Sequence, residues 1–147
     1  MWKALGVGLI VLVASAGGAV AENKCGDEPI APEIPGVADM KQKPPMDAAT
    51  IRHGAFLEIR RWQGSLKSYR DCLVAMENTD KRLAGEAQRS DKPDADKIKS
   101  FQQEMSDAAH AFDASVDEEE RTVNEFHAAQ VAYCTRSDVD RSPCPKL

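Results

Sequence analysis

Non-polar side chains recur in a long 3-4 alternation through the middle of this chain. Across residues 59–87 they fall at Ile59, Trp62, Leu66, Tyr69, Leu73, Met76, Leu83 and Ala87, and Asp80 occupies the missing beat. That spacing is the seam of a helix packed lengthwise on another helix. A second seam follows at Ile98, Phe101, Met105, Ala109, Phe112, Val116, Glu119, Val123, Phe126, Gln130 and Tyr133.

Helix-boundary residues frame both seams. Pro44-Pro45-Met46-Asp47 marks a start with Asp47 as N-cap, which predicts a first helix over about 48–88. Gly54, Gly64 and Gly85 each weaken it by about 1 kcal/mol relative to alanine, and Gly54 and Gly85 are where it would break. Residues 89–94 form the turn, with Ser90 or Asp91 as the next cap and Pro93 in the first turn of a helix over about 93–135. Two long helices joined by so short a turn fold back antiparallel. With the turn centred near residue 91, facing residue numbers sum to about 182. Asp117, Glu118, Glu119 and Glu120 then lie among Arg60, Arg61, Lys67 and Arg70. Such pairs set register more than stability, and a plainly solvated acidic face is the competing reading.

The N-terminal third has other patterns. Residues 1–21 carry Lys3, an apolar run and a small-residue ending at Ala19-Val20-Ala21, the layout of a secretory leader cut after Ala21. The run is shorter than the roughly 20 residues of a membrane span, and Cys25 lacks the small preceding residues of a lipidation site. From 22 to 46 an extended arm is expected, with Pro29, Pro32 and Pro35 recurring every third residue in polyproline spacing. Either it packs on the protein's own helices or it is a ligand for a proline-reading domain. Residues 47–136 would be the hairpin and 137–147 a tail. The fold class is all-α: a long antiparallel two-helix hairpin with a proline-rich N-terminal arm, stapled by disulfides.

Charge narrows the partners. Cleavage after Ala21 leaves 126 residues with 18 basic and 24 acidic side chains, a net charge of −6. Such a surface repels phosphate backbones, so nucleic acid is excluded as a partner. No further apolar run follows the leader, so no membrane span is expected after processing.

Four cysteines in an exported chain predict two disulfides, with three possible connectivities. In the hairpin register Cys72 and Cys134 lie about 36 Å out of step along the axis, so a direct link would break the helices. The arm reaches from Pro45 back to Cys72, which favours Cys25–Cys72 and leaves Cys134 with Cys144. Those loops are worth about 4 and about 3 kcal/mol in the chain-entropy model.

Cys25 with Pro29, Pro32 and Ile34-Pro35, then Tyr69-Arg70-Asp71-Cys72-Leu73, then Phe126-His127-Ala128-Ala129 with Tyr133, form a recognisable set. In these the chain resembles a group of small, uncharacterised secreted helical proteins of Gram-negative bacteria. It departs from them at His127, where Asn is usual, and in having Cys134 and Cys144. The resemblance supports Cys25–Cys72 and implies no activity.

Candidate chemistry is sparse. His53 and His127 fall at one level near the open end of the hairpin. With Glu58 or Cys134 they form a candidate zinc or copper set, although the spacing matches no ligand motif. His110 falls near Cys72. No C-x-x-C, nucleophile elbow or phosphate loop is visible, and no cofactor is called for. A two-helix hairpin leaves an apolar strip for the arm, a second copy or another protein to cover. Phe56, Trp62 and Phe112 are its candidate anchors. The expectation is a non-enzymatic periplasmic or cell-envelope protein, acting through contact with itself or an envelope protein. A small metal-binding protein using His53 and His127 is the alternative.

Overall fold

A computed structural model describes residues 24–144. The expected leader and its cleavage point lie outside these residues. Within them the chain is all-helical: α1 (Val37–Gln42), α2 (Pro45–Gln88) and α3 (Ala95–Cys134). The two long helices form the antiparallel hairpin that their seams predict, with α1 packed across its open end.

Helix α2 runs unbroken through all three glycines. It begins earlier than Asp47, because Pro45 is preset for the first helical position and needs no N–H partner there. Asp47 instead falls in the first turn, where an acid suits the helix dipole. At the turn the cap of α3 is Asp94 rather than Ser90 or Asp91. Its carboxylate accepts from the Lys97 backbone N–H at 3.0 Å, and Pro93 stays outside the helix.

The register agrees with the expected sum of about 182. Phe56 stacks beside Phe126 with ring centroids 6.4 Å apart, and Gln63 donates to Glu119 at 2.7 Å. On α2 the seam is made of large residues: Ile59, Trp62, Leu66, Tyr69 and Leu73 are all buried. On α3 it differs from expectation. Ala108, Ser115, Thr122 and Ala129 are buried at seven-residue spacing, while Ala109, Val116 and Val123 are exposed. Small side chains let the α3 backbone approach the bulky α2 ridge, so volume complementarity outweighs hydrophobicity in choosing the face.

The open end is closed by a separate cluster. Met40 of α1 packs with Ala48, Ala129, Ala132 and Tyr133, so the stretch expected to be wholly extended includes one short helix. Arg136 donates to the carbonyls of Met40 and Lys43 at 2.9 and 2.8 Å, satisfying the exposed end of α1. It also pairs with Asp138. Cys134–Cys144 folds the segment after α3 back on this cluster. Arg52 lies 5.1 Å over the Tyr133 ring, a cation–π contact at a largely buried site.

Near the turn, Asp80 stands in the seam with 2 % of its surface exposed, and its Oδ2 has no hydrogen-bond partner. Burial pushes its carboxyl above the usual range, the Glu104 charge adds to that, and Lys24 opposes it. The charged form is therefore the disfavoured one in the folded state. Its cost is absent below the ordinary aspartate range, where both states are protonated, and appears as pH rises through the raised folded value. Asp80→Asn is expected to stabilise the protein by about 1 kcal/mol at neutral pH, with the gain shrinking on acidification. Thermal melts of both proteins across pH check this; a variant less stable at neutral pH would contradict it.

Candidate functional site

The hairpin has two flanks, and the chain treats them differently. One is covered by the arm. Cys25 is bonded to Cys72 with their Cα atoms 5.7 Å apart, and the Cys25 sulfur lies 3.2 Å from the Met76 thioether. Gly26 turns the chain at φ 76°, a left-handed conformation that glycine adopts without strain. The Trp62 indole N–H donates to the Pro29 carbonyl at 2.9 Å, and Ile34 packs on Ala55, Ile59 and Phe126. Lys24 reaches α3 and pairs with Glu104 at 3.0 Å. Glu58 lines the cleft beneath the arm with Glu33, Ile34 and Asp39.

The other flank is open. Phe56, Gln63, Arg70 and Val74 lie about 100° around α2 from the arm-facing side of the seam, and Phe112, Val116, Glu119 and Val123 match them on α3. One polar bridge spans this face. The Arg70 guanidinium donates to Ser115 Oγ at 2.8 Å, to the Ser115 carbonyl at 2.6 Å and to Glu119. Gln63 completes the contacts of Glu119, and Arg70 also lies 5.9 Å over the Phe112 ring. The Arg70 hydrogen bond, reinforced by Gln63, holds the Glu119 carboxyl below its usual range despite partial burial. Among the described residues this is the one cross-hairpin ion pair realised from the expected acid–base match. Arg121 and Lys67 pair within their own helices. Around the bridge, Phe56 is 43 %, Val74 44 %, Val116 40 % and Val123 38 % exposed.

Of the three expected anchors, Trp62 is sealed beneath the arm, Phe112 is half-buried under Arg70, and Phe56 lies partly exposed on the open flank beside Phe126. Val74 was not expected there, and Val116 and Val123 were expected in the seam. The signal that would have moved them is the heptad of small residues beside them. His53, His110 and His127 are exposed. Cys134 is committed to Cys144, and Glu58 faces the arm rather than His53. Among the described residues no group of three or more His, Cys, Asp or Glu is placed to hold a metal ion.

All four cysteines are paired, which fits an oxidising compartment. Among the described residues no helix is long and apolar enough to cross a membrane. Protein-family models, curated proteins and solved structures were each searched, and none matches this chain.

Two outcomes follow from these flanks. In a chain beginning at Glu22, Trp62 is the sole tryptophan, so its fluorescence reports the arm. In a Cys25→Ser/Cys72→Ser variant its emission should shift to the red and be quenched more readily by acrylamide while helical circular dichroism persists. An unchanged emission would mean that the arm stays seated without its tether. Glu119→Gln should cost about 1 kcal/mol at neutral pH. The lowered folded pKa contributes stability above the ordinary glutamate range that is lost as pH falls through it, so the two proteins should converge in acid. Chemical denaturation at neutral and acidic pH measures the difference.

Proposed function

We propose that this is an exported, non-enzymatic protein of the bacterial periplasm or cell envelope that works by protein contact through its open helical flank. The observation that carries the reading is the row of partly exposed apolar side chains, Phe56, Val74, Val116 and Val123, on the flank that the arm leaves uncovered. Exposed apolar residues scattered singly need no explanation, but a row along one face rimmed by charge is the composition of a contact surface. The leader pattern at 1–21 and the paired cysteines support export to an oxidising space.

The arm fits this role. It removes one of the two apolar flanks from competition, so that a partner meets a single defined face. Arg70 and Glu119 set a fixed polar point within that face, of the kind that selects orientation rather than adding affinity.

The test is face-dependent crosslinking in cells. A photo-reactive residue at Val116 or Val123 should form discrete protein adducts in the envelope fraction, whereas one at the exposed Asn124, on the far side of α3, should not. Equal labelling from all three positions, or none from the valines, would remove the contact reading. Recovery of the full-length chain with residues 1–21 attached from the cytosol would remove the export reading independently.

A further inference from the structure

We infer that the open flank is a self-association surface: a second copy of this chain docks on it about a two-fold axis parallel to the helices, making an antiparallel four-helix bundle. This rests on the contact reading above and names the partner of the same face. The evidence is the placement of charge along its two edges. Arg60 and Lys67 lie on the outer edge of α2, and Asp113 and Glu120 lie on the outer edge of α3. Arg60, Asp113 and Glu120 have no ion pair or hydrogen bond among the described residues, and Lys67 is paired only within α2, to the exposed Asp71. Apart from the Arg70–Glu119 bridge the face is apolar along its middle, with Arg60 and Lys67 on one edge beside the Asp71 that pairs with Lys67, and Asp113 and Glu120 on the other.

That polarity discriminates between the two ways of laying one face on its copy. An axis perpendicular to the helices puts α2 on α2 and α3 on α3, matching cations with cations and acids with acids. An axis parallel to them puts α2 on the α3 of the second copy and keeps every residue at its own level. Facing numbers then sum to about 182 across the interface as they do within the hairpin. Arg60 comes opposite position 122 and Lys67 opposite position 115. Glu120 and Asp113 of the second copy are each two residues away, about 3 Å of axial rise.

Both edges are satisfied at once, because the symmetry repeats each pair. The apolar middle then packs on itself, with Val123 three residues, about 4.5 Å of rise, from the level of the second copy's Phe56 and the exposed Ala109 one residue from that of its Val74. A face two helices wide and some 40 Å long offers on the order of 800 Å² per copy, the size of a standard specific interface. Charged edges flanking an apolar seam are also how helical bundles choose register and orientation.

The experiment uses the oxidised chain beginning at Glu22, with both disulfides intact. Sedimentation equilibrium at micromolar concentration should give the mass of a dimer. Arg60→Glu/Lys67→Glu places like charges on both edges and should weaken association at least tenfold, while circular dichroism stays unchanged because both sites are exposed. Adding Asp113→Lys/Glu120→Lys in the same chain restores opposite signs and should restore the dimer. A protein that stays monomeric, a dimer that the double reversal does not weaken, or a fourfold variant that does not recover would each overturn the proposal. A monomer that still gives valine-specific adducts to a different protein in cells would overturn this inference and leave the contact reading standing.

Discussion

Everything in this molecule depends on the match of volumes along one seam. On α2 the seam is bulky at Ile59, Trp62, Leu66, Tyr69 and Leu73 against the small Ala108, Ser115, Thr122 and Ala129 of α3, and the sizes reverse toward the open end, where Phe126 and Tyr133 of α3 pack with Ala55 and Ala48. A ridge of large residues against a trough of small ones brings the two backbones close without voids. Close approach in turn lets Arg70 reach both the hydroxyl and the backbone carbonyl of Ser115. A larger apolar residue at 115 would remove that hydroxyl and push the helices apart. Most of the buried side chains belong to this seam or to the cluster around Met40 and Tyr133, so a two-layer structure has little other core to fall back on.

Two helices have two flanks, and this chain spends its N-terminal arm on one of them. The arm holds by a covalent link at Cys72, a hydrogen bond from Trp62 and the burial of Ile34, and its described residues before α1 form no helix or strand. The tether acts mainly by limiting the unfolded chain, which suits a segment whose prolines already restrict it. The result is a molecule with one sealed and one open face. The proposed contact surface rests on that asymmetry.

Much of this is legible in the residues themselves. The α2 seam is marked by large side chains at 3-4 spacing, and the antiparallel register follows from the short turn at 89–94. The partner of Cys72 follows from the length of the arm. On α3 Phe126 and Tyr133 are read correctly, but every second seam position is read one residue out of place, because valine is apolar and serine is not, so a hydrophobic pattern selects Val116 and Val123. What decides the face is the size of the opposing residues, which periodicity in one helix does not contain. Helix α1 is missed because six residues between Gly36 and Lys43 have too little intrinsic tendency to form it; Met40 forms it by burying itself against Tyr133. Trp62 looks like a contact anchor by type, but the chain's own arm occupies it. Asp80 is visible as a polar residue in the seam, whereas its unpartnered oxygen is visible only in three dimensions.

The claim that the arm is pinned across α2 and leaves one flank open is tested most directly by mapping the disulfides of the protein purified without reductant. Digestion without reduction, after alkylation of any free thiols, should release one linked peptide pair containing Cys25 and Cys72 and another containing Cys134 and Cys144. A Cys72–Cys134 link would contradict the account outright, because in this register those residues lie about 36 Å apart along the helix axis. Free Cys25 and Cys72 would release the arm and remove the distinction between the two faces.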